Sequence, residues 1–175
     1  SLGYAVAPHI VDAADCGVPQ NRERVLIACT RSTHPITLEI EKQPHVPAAS
    51  FLDFNAGRWT PVVHPGRSQK TIDRAQAGHA RFGDRFVMPY YGSGSGKTGR
   101  SIARPLGTVT TLDRWAAVRG DEMRMLTIAE YKAAMSFPKD YALPGTSKRL
   151  DLHLLGNAVP PLMAKAAIGA LMAAA

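Results

Sequence analysis

The sequence predicts a mixed α/β chain, and three observations carry that class. Two β-rich runs near the N-terminus flank a short polar connection. A proline-rich middle holds only short strand-like pieces. The last fifty residues turn helical, opening on capping-box spacing and ending in an Ala/Leu/Met-rich run.

The elements follow in chain order. Residues 3–13, GYAVAPHIVDA, alternate partially and are rich in β-branched and aromatic side chains, so they read as a strand. Ala14-Asp15-Cys16-Gly17-Val18-Pro19 is a turn-rich break. Residues 24–30, RVLIACT, form a second apolar run of strand length, joined to the first by QNRER in a hairpin-like pair. Prolines at 35, 44, 47, 61 and 65 predict irregular structure over 34–66, with a short strand over 58–63. Residues 69–82 are a helix, with Ile72, Ala75 and Phe82 on one side and Gly83 as its C-terminal cap. Residues 85–91 read as a strand, 92–99 (GSGSGKTG) as a loop, and 106–112 and 115–118 as strands. A helix starts at Thr127-Ile128-Ala129-Glu130 and stops before Pro138; another follows Gly156-Asn157-Ala158-Val159-Pro160-Pro161 and runs to the end.

Composition narrows the function classes. The 175 residues carry 21 Lys+Arg against 14 Asp+Glu, a net charge of +7. Residues 58–124 hold 12 basic and 5 acidic side chains, so the whole surplus lies in that segment. A local basic surplus attracts polyanions, because each neutralised phosphate releases condensed counterions. No run of 18 apolar residues and no signal-peptide pattern is present, so no membrane association is expected. Two cysteines make no disulfide scaffold, which points to a reducing cytoplasm. Histidines 9, 34, 45, 64, 79 and 153 lack metal-ligand spacing with a cysteine, so no metal is expected.

Two motifs imitate active sites. GSGSGKT looks like a phosphate loop, but Tyr91 stands where the first glycine belongs, and Gly99, Arg100 and Pro105 discourage the helix that must follow. Cys16 follows Asp15, whose charge opposes thiolate formation, and Cys29 lies in an apolar run that reads as core. The QNRER pentad is more informative. In extended chain Gln20, Arg22 and Arg24 share a face and offer rigid donor forks for phosphates or carbonyl oxygens.

Residues 3–29, containing GVPQNRER, resemble the DNA (cytosine-5)-methyltransferase family, in which a strand leads into a GVPQxRxR segment and a second strand. Arg104-Pro105-Leu106-Gly107-Thr108 resembles the family's RPxxT segment, with Asp113-Arg114-Trp115-Ala116-Ala117-Val118 after it. Residues 126–141, LTIAEYKAAMSFPKDY, resemble the family's LTxxExxRxxxFPxxY helix, and 156–161, GNAVPP, its final block. The four blocks come in family order over nearly the whole chain. Cys16 stands where an aromatic residue is common, and Ala133 where arginine is usual. Neither cysteine follows a proline, and the Pro-Cys, Glu-Asn-Val and first glycine-rich blocks are missing. The resemblance is to the C-terminal portion of such an enzyme, which predicts inactivity without its N-terminal part.

The resemblance implies the fold in finer terms: the terminal part of a Rossmann-like S-adenosylmethionine-dependent methyltransferase domain plus a mixed, mostly β and irregular target recognition domain. Residues 1–33 would be the last catalytic strands, 34–120 the recognition domain, and 121–175 helices that complete the cofactor site. The implied reaction is methyl transfer from S-adenosylmethionine to C5 of a cytosine flipped out of double-stranded DNA. Arg24 would contact the oxygen of the flipped ring, Gln20 and Arg22 would support the wall of the site, and Asn157, Ala158 and Val159 would complete the cofactor pocket. DNA contacts are expected from Arg81, Arg85, Tyr90, Tyr91, Ser93, Ser95, Lys97, Arg100 and Arg114. The first strand pair should bury its surface against the N-terminal part or by self-association. A non-catalytic, sequence-specific DNA-binding module or regulator is the alternative.

Overall fold

The computed structural model describes residues 3–90 and 98–174. Tyr91, Ser93, Ser95, Lys97 and most of the Gly/Ser loop expected at 92–99 lie outside the described residues.

Strand β1 (Ala5–Asp12) pairs antiparallel with β2 (Glu23–Thr30) in an unbroken register from Ala5 opposite Thr30 to Asp12 opposite Glu23. Their connection is stapled by Asp12. Its carboxylate caps the 3₁₀ turn Ala13–Cys16 through the Ala14 amide (3.1 Å) and accepts from the Arg22 amide (2.7 Å) and the Asn21 side chain (3.0 Å). Gly17, at φ 77°, ends the turn in the left-handed region open to glycine. One face of this ribbon is uncovered. Val6, Pro8 and Ile10 lie opposite Cys29, Ile27 and Val25, and Ile10 is 78% exposed. Cys29 is therefore exposed, not core as its apolar run suggested, because it points to the face that nothing in the described residues covers.

The proline-rich segment contributes a 3₁₀ turn at Ala48–Ser50 and the two-residue strand β3 (Thr60–Pro61). Helix α1 (Gln69–Phe82) has the predicted bounds and ends at Gly83, φ 74°. Its buried stripe is Thr71, Ala75 and Gly78, with Ile72 only half-buried at its edge. The Gly78 position is filled by Phe86, whose ring would lie 2.3 Å from an added Cβ. Strands β4 (Arg85–Pro89), β5 (Trp115–Arg119) and β6 (Glu122–Met125) complete a sheet ordered β3-β6-β5-β4, all antiparallel.

Side chains alternate across this sheet as strand geometry requires. Phe86, Met88, Ala116 and Val118 meet Ala75 of α1 on one face. Val87, Trp115 and Ala117 join the opposite core with Tyr131 and Met135, Leu152 and Leu155. Those residues belong to or adjoin α2 (Ile128–Ala134) and α3 (Lys148–Asn157). Helix α4 (Pro161–Ala174) lies apart, with Met163 packed on Val11, Ala13, Cys16 and Val18.

The secondary structure departs from expectation in three places. Residues 106–112 form no strand; beyond a single bridge from Leu106 to Gln20, side chains replace a partner strand. Strand β6 lacks an apolar run but pairs with β5 and β3, where no strand is expected after residue 118. Helix α3 precedes α4 where the sequence predicts only one helix, so GNAVPP joins two helices and does not merely open one. Residues Lys148–Ala174 also contain an apolar 18-residue window. The extended Ala158 (ψ 157°) and Pro160-Pro161 split them into helices of 10 and 14 residues. These span roughly 15 and 21 Å, short of the roughly 30 Å of a bilayer core.

Candidate nucleic-acid and cofactor site

QNRER folds into a buried junction at its start and an open edge at its end. Gln20 is fully buried. Its Oε1 accepts from the Val109 amide (2.6 Å), and its Nε2 donates to the Ala134 carbonyl (3.3 Å) and to the Met135 sulfur. The backbone on either side pairs with 106–108: Leu106 N donates to Pro19 O, Asn21 N to Leu106 O, and the Thr108 hydroxyl to Asn21 O. Arg22 is 2% exposed. Its guanidinium donates to the carbonyls of Val109 (2.9 Å), Gly156 (2.7 Å) and Ala158 (3.2 Å). Burial, helped by the neighbouring charge of Arg24, lowers it to about 10, so it stays cationic at neutral pH.

The three expected site residues do not share one environment. Arg24 is exposed and, among the described residues, donates only to the adjacent Glu23 carbonyl (2.7 Å). It lines an open concavity of about 400 Å³ with Asp12, Asn21, Arg22, Glu23 and Thr108. Thus the first two polar residues of the alternation lock three chain segments together, and the third is presented to solvent.

Residues 156–159 sit on the same junction. An added Cβ at Gly156 would lie 2.4 Å from the backbone of Thr110 and Thr111, so only glycine lets α3 close on that segment. Asn157 is exposed with its amide against His153 (3.2 Å), and Val159 is 55% exposed. An amide beside an uncovered apolar side chain suits one edge of a cofactor with an amino-acid end and an adenosyl group. Ser136, at φ 60°, places its hydroxyl to accept from the Leu162 amide at the start of α4 (3.2 Å).

The expected DNA contacts divide. Arg81 and Arg100 line one open cleft with Asn21, Ser101 and Arg104. Arg85 instead lies over Phe54 (5.0 Å). Arg114 donates to the Tyr90 carbonyl (2.9 Å), and the half-buried Tyr90 directs its hydroxyl to the Met123 sulfur. Arg104, beside Pro105 in the RPLGT block and not among the expected contacts, lines the same cleft as Arg81 and Arg100.

A second junction holds α2 to the sheet. Arg124 and Glu130, both almost fully buried, pair at 2.6 Å. Arg124 also donates to Asp53 O and lies over Trp59 at 4.9 Å. Glu130 closes the predicted capping box with Thr127. Burial raises the Glu130 carboxyl, but Arg124 and the amides of Thr127 and Asp53 outweigh it and hold it below the ordinary value. Tyr131 donates to Asp113 (2.8 Å) and accepts from the Trp115 amide; burial, then the Asp113 charge, pushes its phenol far up.

Residues 1–173 match the family C-5 cytosine-specific DNA methylase. Type II methyltransferase M1.HphI of Haemophilus parahaemolyticus is 27% identical over 185 residues, covering 94% of this chain and 47% of that protein. Among solved structures, the Entamoeba histolytica methyltransferase EhMeth superposes with a TM-score of 0.59 at 12% identity, over 98% of this chain and 54% of that one. The S. pombe Dnmt2 methyltransferase gives 0.50 at 13% identity, over 97% and 56%. The chain therefore has a methyltransferase-like α/β fold and spans about half the length of these proteins. With its GVPQNRER, RPLGT and GNAVPP segments meeting at one buried junction, the chain belongs to the C-5 cytosine-specific DNA methylase family.

Proposed function

We propose that this chain recognises double-stranded DNA and completes the site of a DNA (cytosine-5)-methyltransferase of restriction-modification type. The observation that carries this reading is the split within QNRER. Gln20 and Arg22 are fixed by buried hydrogen bonds, and they hold Arg24 at an open concavity. A guanidinium suits the ring oxygen of a flipped cytosine, since it donates and never accepts. Asn157, Ala158 and Val159 would hold one edge of S-adenosylmethionine, which supplies the methyl group. Arg81 and Arg100, with the 91–97 segment, would face DNA.

Neither cysteine follows a proline, so the nucleophilic loop would come from polypeptide outside these 175 residues. The uncovered face of β1 and β2 supports that arrangement, because an apolar ribbon face must be buried in the working enzyme. Mixing the chain with a polypeptide carrying the Pro-Cys loop should give methyl transfer from labelled S-adenosylmethionine to cytosine, and Arg24→Ala should abolish it. Folded, associated parts that transfer no methyl group would overturn the catalytic reading. Sequence-specific DNA binding by those inactive parts would favour the non-catalytic module.

A further inference from the structure

We propose that the cleft between the end of α1 and residues 99–105 is a seat for a DNA backbone phosphate, with Arg104 and Arg81 as its clamps; the inference rests on the DNA reading above. The cleft has a volume of about 600 Å³. Among the described residues three guanidinium groups line it, from Arg81, Arg100 and Arg104, and no carboxylate does. Among the described residues none of the three forms an ion pair, whereas Arg119 and Arg124 both do. Arg81 and Arg104 make no side-chain hydrogen bond among those residues either. Three cations sharing one concavity without counter-charge repel one another and raise its positive potential, an arrangement that an anion relieves.

The walls are firm. Arg100 exchanges backbone hydrogen bonds with Val87 (3.0 and 2.7 Å) and lies over the Trp115 ring at 5.6 Å. One Nη of Arg100 sits against Gly107, 2.9 Å from where a Cβ would be, so glycine there leaves room for the fork. The Arg104 carbonyl accepts from the Ala48 amide (2.9 Å). Asn21 belongs to this cleft and also to the Arg24 concavity, so the two adjoin. A phosphodiester beside a target nucleotide at Arg24 would reach it, and planar forks match its oxygens in pairs. An open, polar, sequence-blind concavity of this kind sets register and leaves base reading to other side chains.

The test uses the full protein containing residues 1–175 and a short fluorescent duplex, with affinity measured against salt. Arg104→Ala and Arg81→Ala are the variants; Arg100 is spared because its stacking on Trp115 supports the fold. Lys139→Ala removes an exposed charge elsewhere and is the control. Unchanged thermal melts establish that the variants fold. Each lost phosphate contact should flatten the log-log salt slope by about 0.9. Between 50 and 200 mM salt each variant should then lose about threefold less affinity than wild type does, equally for all duplex sequences. Variants whose slope matches Lys139→Ala overturn the phosphate seat and leave the DNA reading intact. A loss confined to particular base pairs overturns it in favour of base reading. No duplex binding by the wild-type protein at low salt overturns both.

Discussion

Arg22 and Arg24 stand two residues apart in one motif, and the structure gives them opposite sensitivities. Arg22→Met keeps length and removes three donors from the carbonyls of Val109, Gly156 and Ala158. Leaving those acceptors unpaired costs roughly 2 kcal/mol each, or about 6 kcal/mol. A neutral side chain also relieves a penalty, because burial and the neighbouring charge of Arg24 disfavour the guanidinium cation there, and this offsets part of that loss. The net expectation is a loss of about 3 kcal/mol, a large share of the roughly 5–15 kcal/mol that holds a domain together. Arg24→Ala removes one exposed bond to its neighbour's carbonyl and should change stability by less than about 0.5 kcal/mol. Urea unfolding followed by tryptophan fluorescence reads both, because Trp115 is fully buried on the same core. An Arg22→Met midpoint at the wild-type value, or an Arg24→Ala loss as large as that of Arg22→Met, would refute this division.

Glu130→Gln strands the buried Arg124 charge, a loss of about 3–5 kcal/mol at neutral pH. Because the folded carboxyl lies below 4.5, its contribution is present above that value and disappears as pH falls through the folded one. The gap between wild type and variant in an acid-unfolding series should therefore close below pH 4.5. Gly156→Ala drives a Cβ into the Thr110–Thr111 backbone and should cost about 1–3 kcal/mol. Gly169→Ala in α4 meets nothing within 4 Å and should gain up to about 1 kcal/mol in thermal melts. Ile10→Lys and Ile27→Lys alter only the uncovered ribbon face and should reduce association measured by sedimentation without lowering helix content; unchanged association would remove that face from any interface.

The sequence was most legible where one short stretch decides its own structure. Helix α1 was readable from its period and its terminal Gly83, and α2 from the Thr127–Glu130 capping box, because local hydrogen bonds and caps set those ends. Strand β6 was illegible: Glu122-Met123-Arg124-Met125 has no apolar run, and Arg124 is buried only because Glu130 and the Asp53 carbonyl meet it. The strand expected over 106–112 failed for a related reason. Its apolar spacing is real, but Gln20 and Arg22 take the amide and carbonyl of Val109 that a neighbouring strand would have taken. At the candidate site, residue identity was legible and environment was not. Alternation put Gln20, Arg22 and Arg24 on one face, and only the docking of 106–109 and 156–158 separates the buried pair from the exposed third.

The charge surplus gains a different meaning once each fork is traced. Of the arginines between 58 and 124, Arg67, Arg74, Arg114, Arg119 and Arg124 all donate to backbone carbonyls within the fold. Irregular, proline-interrupted chain leaves many carbonyls without ladder partners, and a long side chain with five donors can satisfy them. Much of the basic composition of 58–124 therefore doubles as scaffolding: those guanidinium groups keep their charge and add to the long-range field, but their forks are already engaged and are not free to clasp a polyanion. What remains is more local. Arg81, Arg100 and Arg104 converge beside Asn21, which also borders Arg24. Three of the five arginine forks left over by the scaffold, Arg58 and Arg85 being the other two, thus gather next to the residue expected to meet the target base. An even halo of positive charge would only concentrate DNA near the protein, whereas a cluster fixed to the QNRER junction would also set where along the strand that base must lie.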